Sequence, residues 1–60
     1  MSNYLFEIMS GDYEGEEFFA VANNKDEAYK IARDVAGKEK IRCYGRYTDE
    51  EAERMGYDTY

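Results

Sequence analysis

Sixty residues carry 14 acids against 8 bases, a net charge of −6, with one cysteine and neither histidine nor proline. One domain, residues 1–60, is the most this length supports, and such a domain buries only about 60% of the surface its unfolded chain exposes. The lone Cys43 rules out an intramolecular disulfide, and the lack of histidine rules out a Cys/His zinc site, which leaves a compact core or a partner chain as the source of stability.

The stretch "NYLFEIMS" alternates, with Tyr4, Phe6 and Ile8 on one side and Leu5, Glu7 and Met9 on the other. Period two with aromatic and β-branched residues predicts a strand over 3–10. Glu7 belongs in water, so Tyr4, Phe6 and Ile8 are expected in the core. "GDYEG" follows, with Gly11 and Gly15 suited to a turn. "EEFFAVA", residues 16–22, reads as the return strand of an antiparallel hairpin.

The next segment carries the clearest helix signal. Asn24 is an N-cap and Glu27 stands where a capping box needs it. Ala28, Ile31, Ala32 and Val35 form one apolar stripe, and Gly37 marks the stop. "EKIRCYGRY" reads as a third strand, with Ile41 and Cys43 on one side and Arg42, Tyr44 and Arg46 on the other. Thr48 and Glu51 begin a short second helix that Gly56 ends. "YDTY" is read as a tail.

The order β-β-α-β-α predicts an α+β fold, a small two-layer sandwich. Its three-stranded antiparallel sheet has the order 2-1-3, the main helix packed on one face and a short C-terminal helix. The other face is expected to carry Leu5, Glu7, Met9, Phe18, Ala20, Arg42, Tyr44 and Arg46. It is half apolar, so the second helix, the tail or another molecule must cover it.

Motifs for chemistry are missing. The acids of "GDYEGEEFF" fail the calcium-loop spacing: counted from Asp12, position 6 is Glu17 and position 12 is Asn23. A solvated turn is the simpler reading. No Ser-His or Cys-His nucleophile can be assembled, and the five glycines form neither a dinucleotide fingerprint nor a phosphate loop. Cys43 reads as a structural thiol. The chain is expected to be no enzyme, with no cofactor and no metal. Its lone thiol fits a cytoplasmic setting. No apolar run approaches the roughly 20 residues that cross a bilayer, and the N-terminal stretch lacks the basic segment of a signal peptide.

Charge and tyrosine remain. Residues 1–17 sum to −5, residues 18–48 to +3 and residues 49–60 to −4. Seven tyrosines in so short a chain supply large, stiff contact surfaces with polar tips. Together these point to a non-catalytic protein-interaction module that meets a basic protein surface. Its contacts are expected from Asp12, Tyr13, Glu14, Glu16 and Glu17 in the hairpin and from Glu50, Glu51, Glu53 and Tyr57 near the C-terminus. In being short, acidic and tyrosine-rich, the chain resembles small inhibitor proteins of phages and other mobile elements. Some of these block restriction or CRISPR nucleases by presenting carboxylates in place of DNA. The likeness is one of composition and carries over no residue. The alternative is a nucleic-acid-binding module that stacks bases on Tyr44 between Arg42 and Arg46, against which the net charge counts. A third reading is a homodimer joined through the open sheet face or an edge strand.

Overall fold

Local signals in the sequence account for most of the elements. The computed structural model describes residues 1–60 and holds β1 (Ser2–Ile8), β2 (Glu17–Ala22), α1 (Lys25–Ala36), β3 (Ile41–Tyr47), α2 (Asp49–Met55) and β4 (Asp58–Thr59). The fold is α+β. β1, the most apolar strand, is central and pairs antiparallel with both β2 and β3, giving the expected 2-1-3 arrangement. The sheet nevertheless has four strands, in the order β3-β1-β2-β4, and it is mixed, because β4 runs parallel to β2. The expected all-antiparallel, three-stranded sheet is corrected on this point. Gly56, left-handed at φ 72°, redirects the chain after α2 so that "YDTY" lies along β2. The Tyr60 amide donates to the Phe19 carbonyl at 2.8 Å, and the Val21 amide donates to the Tyr60 carbonyl at 2.8 Å. Two strand residues are too few for alternation to announce them.

On one face, Tyr4, Phe6 and Ile8 of β1 join Phe18, Ala20 and Ala22 of β2 beneath Ala28 and Ala32 of α1. Four of the eight cluster residues are alanines, which add little bulk between helix and sheet. Ile31 and Val35 flank this contact, and the Tyr29 ring stands edge-on to Phe6 at 5.1 Å. Phe18 and Ala20 were expected on the other face. They lie under α1 because Phe6 pairs with Phe18 and Tyr4 with Ala20, and directly opposed residues share a face. A Phe-Phe doublet supplies an aromatic to each face in either register, so alternation alone could not choose.

Phe19 takes the far face, completely buried beside Leu5. Its cover comes from the chain itself. Tyr47 meets the Phe19 ring at 5.8 Å and Tyr57 at 6.1 Å, and Asn3 Nδ2 donates to Asp49 Oδ1 of α2 at 2.6 Å. Phe6 and Phe19, the two largest fully buried side chains, therefore anchor opposite sides of one sheet.

β3 carries an irregularity that the sequence reading did not foresee. Its register with β1 shifts between Leu5 and Phe6: Phe6 faces Cys43, Leu5 faces Gly45, and Tyr44 is left over as a β-bulge. Gly45 permits this at φ 109°, a backbone region closed to most side chains. Arg42 stands opposite Glu7 on the far face, whereas Arg46 stands opposite Tyr4 on the α1 side. The expectation that Arg42, Tyr44 and Arg46 face one way is thus corrected.

Candidate docking site at the hairpin end

The loop from Met9 to Glu16 is built to hold its acids outward. The Gly15 amide donates to the Ile8 carbonyl at 2.7 Å and the Ile8 amide to the Glu16 carbonyl at 2.9 Å, which extends the β1–β2 ladder past the strand ends. Gly11, at φ 82°, lies against the Glu39 carboxylate, and a Cβ there would collide with it. Ser10 Oγ donates to Glu39 Oε1 at 3.1 Å and accepts from the Lys40 amide at 2.9 Å. Arg33 of α1 reinforces the same corner, donating to the carbonyls of Gly37 and Glu39 at 2.9 and 2.6 Å. On this base Asp12, Tyr13, Glu14 and Glu16 are exposed, Tyr13 by 67%.

Beside the loop lies an open groove of about 270 Å3, lined by Ile8, Tyr13, Glu16, Glu17, Phe18, Val35, Asp58 and Tyr60. Register says which side chains reach it. Glu16 follows Ile8 in the extended ladder, and Asp58 pairs with Phe18, so both project on the α1 side. Tyr60 also stands there, its ring edge-on to Phe18 at 5.7 Å. Glu17 points to the far face, opposite Glu7, and contributes only the margin. The result is an apolar floor of Ile8, Phe18 and Val35 between two tyrosines and two carboxylates, with no Lys or Arg in the lining.

The remaining expected contacts are placed elsewhere. Glu50, Glu51 and Glu53 are exposed on α2, which starts beside Asn3, at the opposite end of β1 from the hairpin. The two acidic groups therefore do not form one surface. Glu51 is engaged within the chain: it accepts from the Thr48 amide at 2.9 Å while its own amide donates to Thr48 Oγ1 at 3.1 Å. The Thr48 amide, and after it the Thr48 side chain, stabilise the charged carboxylate and hold it below the usual range. Tyr57 is spent mainly on covering Phe19. Asn24 caps α1 as expected, accepting from the Glu27 amide at 2.9 Å, but the Glu27 side chain reaches past it to the Asn23 amide at 3.2 Å.

Arg42 and Tyr44 form a cluster of their own on the far face. The Arg42 guanidinium lies 4.8 Å from the Tyr44 ring centre, and the Tyr44 hydroxyl donates to Glu7 Oε1. That hydrogen bond, with some desolvation and the negative charge of Glu7, pushes the phenol above its ordinary value. Arg46 stands apart on the other side of the strand. Cys43 is half-buried against the α1 core. No group of three or more acidic or cysteine side chains is arranged to hold a metal ion, and no helix is long and apolar enough to cross a membrane.

Asp58 and Tyr60 were missed by sequence reasoning, which left them in a tail. The β-favouring composition of "YDTY" was the available signal. No family model matches the chain, and no curated protein or solved structure matches it either.

Proposed function

We propose that this protein is a non-catalytic interaction module that docks its hairpin end on a basic protein surface. The observation that carries the reading is the hairpin end itself: Asp12, Tyr13, Glu14 and Glu16 are exposed on a braced loop, beside a groove without a cation. Carboxylates so displayed make charge-assisted bonds with Arg and Lys, and tyrosines anchor interfaces with little loss of rotamer freedom. A nucleic-acid-binding surface of a partner protein, occupied in place of its DNA or RNA, is the basic surface that best suits an acidic chain. A mobile-element inhibitor works in that way.

The competing nucleic-acid reading loses support at the bulge. Bases stacked on Tyr44 would meet Arg42 beside Glu7, while Arg46 faces away. A homodimer joined through the far face loses its motive too, because Phe19 and Leu5 are already covered. The edge of β3 is guarded by the bulge and by two arginines, devices that discourage strand pairing. A gel-shift series separates the two binding readings. Glu14→Lys combined with Glu16→Lys is expected to weaken association with an arginine-rich polypeptide strongly, while the parent chain leaves single-stranded and duplex DNA unshifted. A DNA shift by the parent chain that strengthens in the double variant would instead favour the arginine strand.

A further inference from the structure

We infer that the groove between Tyr13 and Tyr60 receives an arginine side chain of the basic partner, an assignment that rests on the docking reading above. The size is the first indication. At about 270 Å3 the open groove has room for a single inserted side chain. The lining is the second. Val35 and the Tyr13 and Tyr60 rings, set over the buried Ile8 and Phe18, offer apolar surface for a methylene stem, which long basic side chains bury readily. Glu16 and Asp58 stand where the head group would emerge, and neither Lys nor Arg is present to neutralise them.

The planar guanidinium fits this lining better than an ammonium does. It stacks on aromatic rings and bonds carboxylates with a rigid fork, whereas Lys brings a compact, strongly hydrated charge. The protein already makes this combination once within itself, with Arg42 over the Tyr44 ring beside Glu7. The hairpin groove has the ring and the carboxylate without the arginine. The second groove of the molecule, about 470 Å3 and lined by Arg46, Asp49 and Glu51 among others, brings its own cation and lacks the complementarity.

The test is a nitrogen-15 NMR titration of the full chain with three blocked hexapeptides: oligo-arginine, oligo-lysine and oligo-citrulline, the last a neutral isostere. Oligo-arginine is expected to shift the amides of Tyr13, Glu16, Phe18, Asp58 and Tyr60 first, with oligo-lysine several-fold weaker and oligo-citrulline silent. Glu16→Gln with Asp58→Asn should weaken oligo-arginine binding about tenfold or more. Tyr13→Ala, at a loop side chain that is 67% exposed, should weaken it several-fold with the spectrum otherwise unchanged. Glu50→Gln with Glu53→Gln should leave it unaltered. Shifts centred on α2 instead would overturn the groove while sparing the broader docking reading. Equal binding of arginine and lysine would overturn the choice of arginine, and no binding anywhere would overturn both assignments.

Discussion

Glu51 shows how an exposed carboxylate can be engaged within the fold. It sits among the acids of α2, yet both halves of a capping box tie it to Thr48. Its folded pKa is lowered, so the unfolded chain binds the extra proton. The contribution is complete above the unfolded carboxyl value and disappears as pH falls through the lowered folded value. Glu51→Ala is therefore expected to flatten the loss of stability on the acid side, as read from urea midpoints between about pH 2 and pH 7. Thr48→Ala should cost about 1 kcal/mol at neutral pH through the lost N-cap. At this scale the sequence was informative: both N-caps and the outward turn of Asp12 to Glu16 follow from residue type and spacing. The contact of Glu39 with Gly11 spans 28 positions and left no local trace.

At the scale of elements, alternation sorted β1 correctly and failed where the backbone broke its period. Gly45 and the bulge at Tyr44 shift the parity of β3 midway, so Arg42 and Arg46 part company although the letters alternate perfectly. The Phe18-Phe19 doublet is ambiguous for a different reason, since either register buries an aromatic on each side. β4 was overlooked because its hydrogen bonds belong to β2 and its two residues show no pattern. The groove inherits these gaps: Tyr13 and Glu16 were anticipated, but Asp58 and Tyr60 enter only through the parallel pairing. One pairing also looks unfavourable for folding, the like charges of Glu7 and Glu17 directly opposite each other. Glu17→Lys should place an opposite charge there and raise stability by about 0.2–1 kcal/mol, measured as a higher urea midpoint at low salt.

For the molecule as a whole, the single chain is as compact as its mass allows. The exposed area of 4244 Å2 matches the roughly 4,100 Å2 expected of a folded monomer of this mass. One face of the sheet lies under α1, and on the other Leu5 and Phe19 are buried while Arg42 and Tyr44 stay exposed; acids outnumber bases by 14 to 8 over the chain. Net charge of this kind steers association with oppositely charged partners and is screened by salt. Composition disclosed the sign of that field at once; only the coordinates separate the hairpin acids from those of α2. The most direct test of docking by the hairpin end is the affinity for an arginine-rich polypeptide, measured calorimetrically at rising ionic strength for the parent chain and for Glu14→Lys with Glu16→Lys. The account predicts that parent binding weakens at least tenfold between about 50 and 200 mM salt, and that the variant binds weakly throughout. Affinity that does not change with salt, or that survives the charge reversal, would contradict it.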